Sequence, residues 1–169
     1  IMAVVYTKKD QGITYTVGSG SPSHSGSTGD RYIDTSSGVN YSYTTSWQAF
    51  SAEALQFAVS DETTSITTGT SKVTIRAPYA MTITSVRASL TTAQTSGNTF
   101  TADIKVGGSS ILSTLITIDN TEKTTTTAAT LPVVSSTSLA DDAEIKVDVT
   151  QIGSGDATGL KITILGYRV

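Results

Sequence analysis

The stretch TFTADIKVGGSS (99–110) decides the fold. Phe100, Ala102, Ile104 and Val106 alternate with Thr101, Asp103 and Lys105, a period of two that puts apolar side chains on one face of an extended strand and polar ones on the other. GGSS (107–110) is a turn signal, and the run 111–118 offers Leu112, Ile116 and Ile118 to a following strand. A half-buried strand, a turn and another strand make up the repeating unit of an antiparallel sandwich.

Outward from this pair the pattern recurs. Residues 54–60 (ALQFAVS) read as a strand, as do 72–77 with Val73, Ile75 and Ala77 on one face. In 144–149, Ile145, Val147 and Val149 oppose Glu144, Lys146 and Asp148, and in 160–165 Leu160, Ile162 and Ile164 point inward. Within 81–90 the phase slips: Met81 and Ile83 share one parity, while Val86, Ala88 and Leu90 have the other. A β-bulge near Thr84–Ser85 accounts for it. The run 128–134 contains Pro132, which cannot donate to a ladder and so marks an edge strand or loop. About eight strands with turns between them predict a sandwich or barrel, and the strand number favours a jelly roll.

Composition agrees. Of 169 residues, 55 are Ser or Thr, 32 of them Thr, while Glu, Lys, Arg and Met total 17. β-branched Thr suits a pleated surface and loses rotamer freedom in a helix, so a helical bundle is excluded. Seven of the 11 aromatic residues fall in the first 50 positions. This break predicts two units, an aromatic-rich β module (1–52) and an aliphatic, Thr-rich sandwich (53–169).

In the module, AVVYT (3–7) and ITYTV (13–17) read as a hairpin around Gly12, GSGSPSHSGSTGD (18–30) as a loop or linker, and RYID (31–34), VNYSYT (39–44) and SWQAF (46–50) as a short meander. Tyr32, Tyr41 and Trp47 are placed to stack across strands. So small a meander cannot bury all its rings alone, and the surplus calls for a partner surface.

Several chemistries are disfavoured. A net charge of −3 and a pI near 5.0, with basic residues scattered except at Lys8-Lys9, give no footprint for nucleic acid. No stretch approaches the roughly 20 apolar residues of a spanning helix, so no membrane insertion is expected. The segment IMAVVYTKKDQ does not read as a signal peptide, having no basic region ahead of its apolar run. With no Cys, thiol chemistry and disulfides are out. The single His24, in the Ser/Gly-rich loop, reads as a solvated loop residue, not a catalytic base. The acids lie mostly at turns (Asp10, Asp30, Asp119, Asp156) or on the polar side of strands (Asp103, Asp148) and read as solubilising. Asp141-Asp142 with Asp156 or Asp119 is the weak candidate for a hard cation, and acidic turn residues are the better reading. No catalytic residue, cofactor site or metal site is expected.

One segment stands above this background: GDRYIDTSSGVNYSYTTSW (29–47). Gly29, Asp30, Tyr32, Ile33, Asp34, Gly38, Tyr41 and Trp47 match a short module, Gly-Asp-x-Tyr-Ile-Asp, a Gly turn, a Tyr strand and a Trp, and the segment resembles that module of tailed-bacteriophage tail-fibre and virion-surface proteins. From ALQFAVSDETT to TGLKITILGYRV, the second unit is similar to a β domain of phage structural proteins, in which a jelly roll is expected. The resemblance implies a non-enzymatic virion protein on the particle exterior, made in the host cytoplasm and assembled as a homotrimer. Other virion proteins would dock on the N-terminal module, and a fibre would add a host-surface glycan as partner. Tyr6, Tyr15, Tyr32, Ile33, Tyr41, Tyr43, Trp47 and Phe50 are then the candidate oligomer or particle interface. The chain has neither a collagen-like stretch nor coiled-coil heptads. That favours capsid decoration or a short fibre, whereas the module favours a fibre. The alternative is a carbohydrate-binding β-sandwich, with Tyr79 and Tyr167 as its platforms.

Overall fold

A computed structural model describes residues 4–49 and 52–168, and every regular element among them is a strand. The first unit comprises the chain up to Glu53 with the end of the last strand from Tyr167; the second is Ala54–Gly166.

The first unit carries one five-stranded sheet in sequential order. β1 (Val4–Asp10) and β2 (Ile13–Gly18) form a hairpin. Its turn residues Gln11 and Gly12 have φ of 47° and 86°, the pair of left-handed conformations whose twist matches that of the flanking strands. β3 (Arg31–Asp34), β4 (Asn40–Tyr43) and β5 (Trp47–Ala49) follow as an antiparallel meander.

The hairpin and meander are not joined by a linker, as the Ser/Gly composition of 18–30 suggests. β2 and β3 pair in parallel, Thr16 opposite Tyr32, and parallel neighbours need a crossover of about a dozen residues, the length of 19–30. Backbone groups of Gly20, His24 and Gly29 tie the segment to the sheet, and the hydroxyls of Ser21 and Thr28 add to them.

The second unit contains β6 (Ala52–Ala58), β7 (Gly69–Arg76), β8 (Met81–Ser89), β9 (Phe100–Val106), β10 (Ser109–Ser110), β11 (Leu112–Thr114), β12 (Ile116–Ile118), β13 (Val133–Val134), β14 (Ser138–Leu139), β15 (Glu144–Gln151) and β16 (Lys161–Arg168). One sheet runs β14-β8-β16-β6 and another β10-β9-β15-β7, with β12 also on β9 and a small β11-β13 pair beside them. The pairs β6 with β16, β7 with β15, β8 with β14 and β9 with β12 are those of one long hairpin. Rolling that hairpin up drops alternate pairs into opposite sheets, which is jelly-roll winding. Pro132 immediately precedes the two-residue β13.

The core follows the alternation. Ile104, Val147 and Val73 lie side by side across three strands, as do Val106, Ile145 and Ile75, so β-branched rows cross the sheet. From the opposing sheet, Ile83, Ile162 and Ile164 join the same buried cluster. In β8 the phase slips where the sequence says it should. Thr84 and Ser85 are both exposed, whereas Met81, Ile83, Val86 and Ala88 are buried.

Candidate functional site

The crossover and the sheet beneath it form the densest polar and aromatic arrangement in the first unit. Alternation along RYID sends Tyr32 and Asp34 to the inner face, under the crossover, and Arg31 and Ile33 to the outer face. Tyr32 is fully buried, and its hydroxyl donates to the Gly20 carbonyl at 3.0 Å. Asp34 accepts from the Gly20 amide (2.8 Å), the Ser36 amide (2.9 Å) and the Ser36 and Ser37 hydroxyls (2.6 and 2.7 Å). Burial raises its pKa, but these donors prevail and hold it at about 2. Gly38 closes the Asp34 turn with φ of 75°, a conformation costly for a side chain with a Cβ.

Asp30 does the same work at the other end of the crossover. Its two oxygens accept one amide each, from Ser27 (2.8 Å) and Thr14 (2.7 Å), and these bonds, Ser27 foremost, hold its pKa down. The Gly29 amide donates to the Tyr43 carbonyl at 2.9 Å. Trp47 Nε1 donates to the His24 carbonyl at 2.7 Å, and the Ser21 and Tyr41 hydroxyls lie 3.1 Å apart. Gly29, Asp30, Tyr32 and Asp34 of the Gly-Asp-x-Tyr-Ile-Asp module thus hold the crossover or its turns in place, while Arg31 and Ile33 lie on the other face.

The rings form one cluster. The Trp47 ring centroid lies 5.1 Å from that of His24, 5.3 Å from Tyr43 and 6.0 Å from Tyr32, and Tyr41 meets Tyr32 edge-on at 6.2 Å. Gly26 passes so close that a Cβ there would stand 2.7 Å from the Tyr43 ring. The rings therefore find much of their cover in the chain's own crossover, which the composition alone did not show. His24 is exposed, as a loop residue should be, but its ring is packed on Trp47.

The proposed interface residues consequently divide. Tyr32 has no surface to offer. Tyr41, Tyr43 and Trp47 are half-buried on the inner face. Tyr15 and Ile33 are 44% and 43% exposed on the outer face, where Val17 stands opposite Ile33 and Arg31 opposite Tyr15. Phe50 and the side chain of Tyr6 lie outside the described residues.

Beneath the crossover lies a cavity of about 270 Å3 lined by Thr7 of β1, Thr14 and Thr16 of β2, His24 and Ser25 of the crossover, Asp30, and Trp47 of β5. Both edge strands reach it, so the inner face is concave.

The acids of the second unit are not all solubilising. Asp103 and Asp148 stand opposite one another on neighbouring strands, on the polar side, yet both are buried. Lys105 Nζ lies 2.7 Å from Asp148 Oδ2, and the Ser71 amide, turned inward by an irregularity in β7 where φ reaches 50°, donates to Asp148 Oδ1. The Lys105 bond chiefly holds Asp148 below the usual carboxylate range. Asp103 accepts from the Ser110 hydroxyl at 2.6 Å. Asp119 caps the Ala129 amide and Asp156 accepts from the Thr95 hydroxyl, so these two hold separate loops. Among the described residues no three His, Asp or Glu side chains gather as metal ligands. Tyr79, one of the two rings named for a sugar-binding sandwich, is partly buried and packs against the core.

No family model, curated protein or solved structure matches the chain.

Proposed function

We propose that this chain is a non-enzymatic structural protein of the exterior of a tailed-phage particle, assembling as a homotrimeric short fibre or capsid-decoration protein through its first unit. The reading rests on the resemblance of 29–47 and of the second unit. The observation that carries the assembly step is the outer face of the five-stranded sheet, where Tyr15 and Ile33 stand exposed and Val17 lies opposite Ile33. Side chains of that size exposed together are a feature of association surfaces. The inner face supports the reading differently, since a prefolded crossover gives the module a fixed shape to present.

The test is the mass of the full chain in solution. A trimer is expected, three times the 17.5 kDa chain, and a clean monomer at micromolar concentration would overturn the assembly reading. Imaging of whole particles separates the two roles: many copies over the capsid indicate decoration, and copies at the tail or vertices a fibre.

A further inference from the structure

We propose that the hollow under the crossover is a saccharide subsite that takes one neutral pyranose ring, a binding site distinct from the assembly surface. Its volume of about 270 Å3 sits just below the roughly 300–1,000 Å3 of drug-sized pockets, which suits a single ring.

The lining has the two chemistries a pyranose needs, an aromatic surface for its C–H face and fixed polar atoms for its hydroxyls. Trp47 supplies the first. Its indole is pinned by the bond to the His24 carbonyl and by edge contacts with Tyr43 and Tyr32, so little rotamer entropy remains to be lost on binding. His24 flanks it as a second ring.

Asp30 supplies an acceptor. Each of its oxygens receives one backbone amide, and a carboxylate has about four lone-pair sites, so capacity remains for ligand hydroxyls. Thr16 is only 5% exposed, and its hydroxyl, like that of Thr7, has no hydrogen-bond partner among the described residues. Neither hydroxyl is among the side-chain atoms shut off from solvent, so both stand open to the hydroxyls of a ligand. The ionised Asp30 repels phosphate and carboxylate ligands, which narrows the class to uncharged, hydroxyl-rich molecules.

Trp47 is the chain's only tryptophan, so its emission reports on this hollow alone. The full chain is titrated with glucose, galactose, mannose and N-acetylglucosamine, each to about 100 mM, with saturation-transfer NMR run on the same mixtures. At least one sugar is expected to bind saturably near ~1 mM, the range that a ring of about 12 heavy atoms reaches at ordinary ligand efficiency. Thr16→Val keeps the shape and removes the hydroxyl, and the Thr7→Val/Thr16→Val pair is expected to weaken binding about tenfold. Thr7 is exposed, so Thr7→Val alone provides the measurement if the buried substitution disturbs folding. No emission change and no transfer to any of the four sugars overturns the subsite, and so does an affinity unchanged in these variants. The oligomer mass, measured separately, keeps this outcome distinct from the fate of the assembly reading.

Discussion

Asp34 shows how one side chain holds a loop. Its folded pKa of about 2, against an ordinary 3.8, means that it stabilises the folded state above pH ~4 and that this contribution is lost as the pH falls towards 2. Asp30, shifted in the same direction, adds to the effect. Trp47 emission followed from pH 7 to 2 is expected to report loss of the crossover within that window, and a flat profile would refute the role given to the two carboxylates. Asp34→Ala leaves its donors without an acceptor and is expected to cost more than about 2 kcal/mol at neutral pH, measured by denaturant unfolding. In the second unit, Ile104 and Val147 are each fully buried and directly opposed. Ile104→Asp or Val147→Asp buries an unpaired charge at several kcal/mol and is expected to abolish folding; a soluble variant with native circular dichroism would contradict the inward assignment.

Among the elements, the crossover is the one whose character changes most between sequence and structure. Polar, glycine-rich composition marks it as a connection, and nothing local says that its two ends serve parallel strands. Gly26 is the sharpest test, because a Cβ there meets the Tyr43 and Trp47 rings. Gly26→Ala is expected to destabilise the first unit by about 1–3 kcal/mol and to alter Trp47 emission, with the sandwich signal unaffected. Alternation in RYID already places Tyr32 and Asp34 on the same face, so the shared burial of those two was legible. The burial of Asp148 was not, because parity puts it outside, and only the turn at Ser71 and the reach of Lys105 enclose it.

For the whole molecule, the outer sheet face carries the assembly prediction. Tyr15→Ser with Ile33→Ser is expected to reduce the solution mass to that of a monomer while leaving Trp47 emission intact, and an unchanged mass would rule that surface out. Trp47→Ala, which removes the pinned ring at the crossover, is expected to weaken assembly more than it weakens the sandwich. The all-β class, the longer strands with their inward faces and the slip at Thr84–Ser85 are legible in the amino-acid order, because side-chain alternation is a local property of extended chain. By contrast, 111–118 reads as one strand and is two, β11 and β12, and the two-residue β14 leaves no periodic signal. Tertiary structure alone decided the parallel pairing of β2 with β3, the hairpin-like winding of β6 to β16 and the hollow between Thr7 and Trp47. Those features depend on which strands meet across long stretches of chain, and periodicity carries no information about that choice.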